Sequence, residues 1–191
     1  FGDSRYDTNL AILEEAGVTG DSVIVATGKT FADSLSASAA KLPILLVKPD
    51  AALNDAQKEI LTGMKNIYIV GGDGAVSASY EAELKAFGKV TRVFGDSRYD
   101  TSVAVAKAFC TDVEKAGVAS GKNFPDGLCG SPLAAALNAP LVLTKDGGTG
   151  AAAAYVAEKE IASGYVLGGD GALTDATVVE VFGLESAAEI K

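Results

Sequence analysis

Short apolar runs alternate with helix-like segments along the first half of the chain. Residues 22–26, 43–47, 67–70 and 89–93 are runs rich in β-branched or aliphatic side chains, which are typical of strands. The run 43–47 is continuously apolar, as expected of a strand that is buried on both faces. Strict alternation of strands and helices favours parallel sheets with helices on both faces. We therefore predict an α/β fold.

The residues between these runs include signals for the starts and ends of helices. Leu10 and Leu13 share one face of a helix over 7–15, and Gly17 follows as its stop. Asn54, with Gln57 three residues later, predicts a capped helix that runs to about residue 64, and Ser77 caps a last helix that ends near residue 88. Residues 33–41 are small and rich in Ala and Ser, which suits a helix packed closely on a sheet.

The second half of the chain repeats the first. Residues 1–8, FGDSRYDT, recur unchanged at 94–101, and the correspondence continues across a four-residue insertion to the end of the chain. We predict two tandem domains, 1–93 and 94–191, each a small, mostly parallel sheet flanked by helices, of the Rossmann-like type. The strand that would precede Phe1 is missing from the first copy, and the chain begins within the motif, so we expect it to be a piece of a longer protein.

Composition excludes several classes of protein. The chain has 191 residues, a net charge of −9 and no histidine. The negative charge argues against a nucleic-acid binder, which usually carries a basic face. Without histidine, Ser-His-Asp catalysis, Cys-His catalysis and His-ligated metal sites are excluded. No apolar run approaches the ~18 residues of a membrane-spanning helix, so we expect no membrane insertion, and we predict no cofactor or metal.

The two cysteines are too few for a disulfide scaffold or a zinc site. The favoured interpretation is that Cys110 and Cys129 are small buried residues. A single disulfide in an oxidising compartment remains open at this point.

Three basic residues recur at equivalent positions in the two copies, whereas the other basic residues do not. They are Arg5 and Arg98, Lys29 and Lys122, and Lys48 and Lys145. Each pair follows a predicted strand at its carboxyl end, where ligands bind in open parallel sheets and where helix N-termini favour anions. The pattern indicates a cationic edge on an acidic body. The alternative is structural pairing, of Arg5 with Asp3 or Asp7 and of the lysines with Asp33 and Asp73.

A glycine-rich loop and several acidic residues also recur. The loop 71–74, GGDG, lacks the spacing of known phosphate-binding loops, so we favour a tight turn with positive φ angles, in which Asp73 bonds to backbone amides. A phosphate site is the alternative. Helix capping explains Asp7, Asp33 and their counterparts, although paired carboxylates could also hold magnesium or act in acid–base catalysis.

These motifs together resemble the bacterial cell wall binding repeat 2 family. The similarity rests on RYDT at the start of each copy, on SGKNFPDGL at 120–128, on PILL at 43–46 and on VGGxGAVS ending at Ser77, and it covers nearly the whole chain. The resemblance implies Toprim-like modules that come in threes around a pseudo-threefold axis. It also implies an extracellular location at the cell wall of Gram-positive bacteria. There the repeats hold surface and S-layer proteins non-covalently by binding anionic secondary wall polymers, polysaccharides or teichoic-acid-like chains.

The resemblance also implies which residues bind the polymer. The PILL segment and the recurrent arginine have been associated with binding in this family, and they map to Pro43, Ile44, Leu45, Leu46, Pro140, Leu141, Val142, Leu143, Arg5 and Arg98. Only two repeats are present here, so we expect a third repeat or self-association. Copy one is also four residues shorter before Pro43, and its site is expected to be the weaker one.

Two other classes of function are compatible with the residues. One is a metal-dependent enzyme that acts on a phosphorylated small molecule, with Asp73 or Asp33 holding the metal. The other is a purely structural oligomerisation module. The absence of histidine and the duplication of the whole chain favour wall binding without catalysis.

Overall fold

The structure is a computed structural model, and it describes residues 1–18, 20–49 and 51–190. The chain divides into two compact units. The first consists of Phe1–Ser34 and Leu42–Phe94, and the second of Leu35–Lys41 and the chain from Gly95 onward. The units are defined by packing and the predicted domains by sequence repetition, so the domain limits 1–93 and 94–191 stay a prediction.

The first half of the chain alternates helices and strands as the pattern predicts. The elements are α1 (Arg5–Glu15), β1 (Ser22–Thr27), α2 (Ala32–Ala37), β2 (Ile44–Val47), α3 (Asp55–Leu61), β3 (Asn66–Val70), α4 (Ala78–Leu84) and β4 (Lys89–Val93). The strands form one parallel sheet in the order β2-β1-β3-β4. Apolar side chains of these strands are buried with Leu13 of α1, Leu61 of α3 and Leu84 of α4.

The second half builds a smaller version of the same sheet. Its elements are α5 (Arg98–Phe109), β5 (Lys115–Ser120), α6 (Pro125–Ala136), β6 (Leu141–Thr144), α7 (Gly150–Glu158), β7 (Ser163–Leu167) and α8 (Asp175–Phe182). The three strands are parallel in the order β6-β5-β7. The predicted α/β fold with small parallel sheets flanked by helices is confirmed.

The two sheets differ by one strand. The segment that aligns with β4 in the second copy contains a short 3-10 turn, Ala187–Glu189, and no strand. β4 reads Lys-Val-Thr-Arg-Val, which is rich in β-branched residues, whereas Ala-Ala-Glu favours helical backbone. β7 is therefore an edge strand, and Tyr165 within it is exposed.

Local details confirm some predictions and correct others. Asn54 and Gln57 form the predicted capping box, and Ser77 caps α4. The predicted helix over 33–41 breaks after Ala37 into a 3-10 turn, where the Ser38 hydroxyl donates to the Leu35 carbonyl at 2.5 Å and so competes with the helical backbone. Both cysteines are free thiols. Cys110 is buried as expected, but Cys129 is exposed on α6, so the prediction of two buried cysteines is wrong for Cys129.

Side chains from the first helix of each copy occupy the outer edge of a neighbouring strand. Asn9 of α1 donates from Nδ2 to the Ile44 carbonyl and accepts from the Leu46 amide through Oδ1, both at 2.8 Å. In the second copy the Ser102 hydroxyl of α5 accepts from the Leu143 amide at 2.9 Å. The side chains thus satisfy backbone groups that an edge strand would leave unpaired. Within the described residues, no helix is both long and apolar enough to cross a membrane.

Candidate functional site

The recurrent arginine stands in the first turn of a helix whose cap is built from the repeated motif. Ser4 caps α1 by accepting from the Asp7 amide, and its hydroxyl donates to the Asp7 carboxylate at 2.5 Å. The capping role predicted for Asp7 therefore belongs to Ser4, and Asp7 supports it. This cap fixes the start of the helix, so Arg5 reaches the turn after β1, where its Nη1 donates to the Gly28 carbonyl at 2.8 Å.

The same arrangement is present in the second copy. Ser97 caps α5 and donates to Asp100. Arg98 donates from Nη1 to the Gly121 carbonyl at 2.7 Å. The turn that follows the first strand of each sheet is thus bound to the first turn of the first helix, in both copies.

A tyrosine beside each arginine packs on the glycine of this turn. A β carbon at Gly28 would overlap the Tyr6 ring, and one at Gly121 would overlap the Tyr99 ring. Both glycines are buried. Glycine is required here because of close approach, since any side chain would displace the ring.

The lysine that follows the second strand lies over the same ring. The Nζ of Lys48 is 5.2 Å from the centroid of the Tyr6 ring, and the Nζ of Lys145 is 5.4 Å from that of Tyr99. Both distances are within the range of a cation–π interaction. Lys48 is exposed, whereas Lys145 is half-buried because its stem packs on Gly148.

The third recurrent cation follows the glycine directly. Lys29 and Lys122 are exposed, and their backbone amides donate to Thr27 and Ser120 at 3.1 and 3.3 Å. We call the five residues of each copy the strand-end cluster. They are Arg5, Tyr6, Gly28, Lys29 and Lys48 in the first copy, and Arg98, Tyr99, Gly121, Lys122 and Lys145 in the second.

Arg5 and the four cluster lysines do not pair with nearby carboxylates, which was the alternative interpretation. Within the described residues they form no salt bridge within 4 Å. The ion pairs that are found involve Lys58, Lys65, Lys85, Arg92 and Lys107. Asp73 lies 3.5 Å from Arg92. Among the described residues it bonds to no backbone amide, contrary to our expectation. The exposed lysines therefore keep their charge available to a ligand.

The glycine-rich loop is a tight turn, as favoured from the sequence. Gly71 and its counterpart Gly168 have φ angles of 115° and 113°, a region that favours glycine. A β carbon at these positions would also approach the carboxylates of Asp33 and Asp126. In the described ranges, no group of three or more acidic or cysteine side chains could hold a metal ion.

The apolar segments at 43–46 and 140–143 form most of an edge strand in each sheet and do not form an exposed apolar surface. Leu45 is buried, while Pro43, Ile44 and Leu46 are half-buried. In the second copy Pro140, Leu141, Val142 and Leu143 are all buried. The structure does not bring these side chains together with the cations at the surface, but the strands end where Lys48 and Lys145 begin.

One acidic residue distinguishes the second cluster from the first. Asp146 follows Lys145 and accepts hydrogen bonds from the Thr177 hydroxyl at 2.7 Å and the Thr174 amide at 3.0 Å. The Thr177 bond is the largest of the contributions that hold the pKa of the Asp146 carboxyl below its ordinary value, and the charge of Lys122 adds to them. Pro49 occupies the equivalent position in the first copy.

Sequence reasoning missed the tyrosines and the glycines of the cluster. Tyr6, Tyr99, Gly28 and Gly121 recur in both copies just as the cations do, so the internal repeat carried the signal. They were overlooked because neither residue type is charged. Their role is evident only from the contacts that the ring makes with the glycine and the lysine.

Comparison with known proteins identifies the family. The family model of cell wall binding domain 2 (CWB2) matches residues 1–81 and 92–178, one match in each copy. Two curated relatives come from Bacillus subtilis strain 168. N-acetylmuramoyl-L-alanine amidase LytC is 31% identical over 183 residues, which is 91% of this chain and 36% of LytC. Amidase enhancer is 32% identical over 149 residues, covering 75% of this chain and 21% of its own length.

Solved structures show the same fold. Cwp8 from Clostridium difficile has a TM-score of 0.80 and 27% identity, over 97% of this chain and 33% of that chain. Cwp6 from the same organism has a TM-score of 0.81 and 24% identity, over 94% of this chain and 31% of that chain. This chain spans about a third or less of these relatives. The predictions of a tandem cell wall binding repeat and of a cell wall location are confirmed, and the chain belongs to the cell wall binding domain 2 family.

Proposed function

We propose that each copy binds the anionic polymer of a Gram-positive cell wall through its strand-end cluster, and that the two copies together hold a longer protein on the wall. The observation that carries this proposal is the recurrence of one geometry. In both copies an arginine and a tyrosine at a helix start meet a Gly-Lys turn and a second lysine. Surface lysines that serve only solubility have no reason to keep the same contacts in two copies.

Charge supports this assignment. The chain carries −9 overall, so a polyanion is repelled by most of the surface and attracted at the cationic clusters. Each cluster presents three cations, and arginine can donate to phosphate or carboxylate in a bidentate manner. Weak sites that engage one polymer gain avidity through effective concentration.

The buried PILL strands contribute by position in this proposal. Residues 43–46 and 140–143 place Lys48 and Lys145 at the end of the sheet, and their side chains stabilise the strand from which each lysine extends. We propose no catalytic role for the chain. Magnesium-dependent turnover of a phosphoester that is abolished by Asp73→Asn would contradict this and support an enzyme.

A matched pair of charge variants tests wall binding. One replaces Lys29, Lys48, Lys122 and Lys145 by Gln, and the control replaces Lys58, Lys65, Lys89 and Lys159 by Gln, so both have the same net charge. We expect the first variant to lose sedimentation with purified B. subtilis and C. difficile walls and the control to keep it. We also expect walls stripped of anionic polymer to bind neither. Equal sedimentation of the two variants, with both folded by circular dichroism, would contradict the site.

Helix α6 exposes large apolar side chains. Leu35 is buried at 5% exposure and packs on Gly127 of α6, where a β carbon would lie 2.9 Å from its Cδ2. Leu128 is the counterpart of Leu35 in the second copy, and it is 56% exposed. Leu133 on the same helix and Leu137 at its C-cap are also exposed. Because Leu35 is buried at the equivalent position, we expect Leu128 to be buried in the complete assembly as well. We propose that a third repeat or another copy of the chain covers this face.

A further inference from the structure

We infer that Tyr6 and Tyr99 are positioning residues, which hold the ammonium groups of Lys48 and Lys145 at the binding edge without contacting the polymer themselves. This inference rests on the proposed function, because it names how that site is organised. Sequence analysis assigned the tyrosines no role, and the apolar strand motif does not include them.

The tyrosine ring has little freedom to move. The buried glycine of the turn lies against it, so closely that a β carbon at Gly28 or Gly121 would overlap the ring. The adjacent arginine ties the same glycine from its carbonyl side, at 2.8 Å in the first copy and 2.7 Å in the second. The ring is therefore fixed between the helix start and the turn.

A fixed ring restricts a flexible lysine. A lysine side chain has four methylene groups, and an exposed one samples many rotamers. The negative face of an aromatic ring attracts the ammonium group and reduces that freedom. The Nζ atoms of Lys48 and Lys145 lie 5.2 and 5.4 Å from their ring centroids. Both rings are half-buried, so each ring offers the lysine a contact surface that is itself held in place.

The arrangement has a consequence for affinity. A lysine that is already held over the ring loses less conformational entropy when an anion binds. A cation–π contact at an exposed site corresponds to a change of about two- to fivefold in a binding constant. We expect Tyr6→Leu and Tyr99→Leu each to weaken the affinity of its cluster by about that factor.

Nuclear magnetic resonance of the lysine ε-methylene groups tests the geometry without any wall. The ring current should shift the signals of Lys48 and Lys145 upfield relative to those of Lys29 and Lys122, which contact no ring in the described residues. Tyr6→Phe and Tyr99→Phe should keep the shift, and the leucine variants should abolish it. Unshifted signals in the unaltered chain would overturn the inference, whatever the chain binds.

A double-mutant cycle on purified walls then tests the role in binding. We measure wall affinity for Tyr6→Leu/Tyr99→Leu, for Lys48→Gln/Lys145→Gln and for all four substitutions together. If the rings act through the lysines, the tyrosine substitutions have no further effect once the lysines are gone, and the phenylalanine variants bind like the original chain. Additive losses would show that the rings contact the polymer directly and would overturn the inference.

Protein stability separates a folding defect from a positioning defect. If the leucine variants melt at a lower temperature, the phenylalanine variants still test the inference. They retain the ring and remove only the hydroxyl, so they should bind walls like the original chain. Loss of binding in a stable phenylalanine variant would overturn the inference in favour of a role for the hydroxyl. Failure of the original chain to bind walls, with the ring-current shifts present, contradicts the proposed function and leaves the ring–lysine geometry established.

Discussion

Arg5 is joined to Gly28 by one hydrogen bond, from Nη1 to the backbone carbonyl oxygen, at 2.8 Å. A guanidinium has five N–H donors in a planar fork, so one donor can fix the side chain while others remain for an anion. A lysine at this position would have a compact ammonium on a flexible stem. It could not hold the carbonyl and present a planar fork at the same time.

Arg5→Lys and Arg98→Lys should therefore weaken wall binding although they keep the charge. Removal of one charge-assisted hydrogen bond of about 1.5 kcal/mol corresponds to roughly tenfold in affinity for each cluster. Isothermal titration or sedimentation with purified walls measures it, and Lys89→Arg serves as a control of the opposite exchange. Affinity equal to that of the original chain would show that charge alone is recognised.

Gly121→Ala should destabilise the second unit. The added methyl group overlaps the Tyr99 ring, and a forced adjustment of this kind costs about 1–3 kcal/mol. Gly171→Ala is the matched control in the same unit, because a β carbon there meets no atom within 4 Å. Urea unfolding compares the two variants. A midpoint for Gly121→Ala that equals that of Gly171→Ala would show that the ring moves away without cost.

Glu81 should make the first unit sensitive to acid. Hydrogen bonds from Lys85 and Arg92 hold the pKa of its carboxyl below the ordinary value of 4.5. A folded-state pKa that is below the unfolded one contributes stability above the unfolded pKa. That stability is lost as the pH falls through the folded pKa. The free energy of unfolding should therefore drop from pH 5 downward more steeply in the original chain than in Glu81→Gln. Parallel curves for the two proteins would contradict the linkage.

Self-association should depend on the exposed face of α6. We expect the light-scattering mass of the chain to rise with concentration over a hundredfold range, because exposed apolar patches tend to find partners. Leu128→Glu should suppress the rise, while Ile12→Glu, at an equally exposed leucine-sized side chain on α1, should not. A mass that stays monomeric at all concentrations would show that two repeats suffice.

The order of the elements could be predicted from the sequence because strands buried in a parallel sheet appear as continuous apolar runs. The runs at 22–26 and 43–47 have few polar residues, and in the structure Val23, Val25 and Leu45 are fully buried. The caps at Asn54 and Ser77 were predictable for a similar reason, since their hydrogen bonds are formed with residues close in sequence. Where the determining contact is local, the pattern was sufficient.

Contacts between distant segments escaped the prediction. Lys48 is separated from Tyr6 by two strands and two helices, and no periodicity connects them. Ser38 ends α2 early through a hydrogen bond to Leu35, which the small, helix-compatible composition of 33–41 does not reveal. Cys129 is exposed because it lies on the outer side of α6, and sequence alone gave no orientation for that helix.

The helix that begins with the recurrent arginine also carries the side chain that occupies the outer edge of the neighbouring strand, Asn9 in the first copy and Ser102 in the second. Asn9 accepts from the Leu46 amide one turn after Arg5, and Ser102 accepts from the Leu143 amide one turn after Arg98. The Leu46 and Leu143 amides can exchange with deuterium only when this hydrogen bond opens, which requires the Asn9 or Ser102 side chain to move away from the strand, alone or with its helix. A ligand that binds the helix start opposes this movement by mass action. These two amides consequently act as built-in reporters, and deuterium exchange at each one reads the occupancy of its own copy separately.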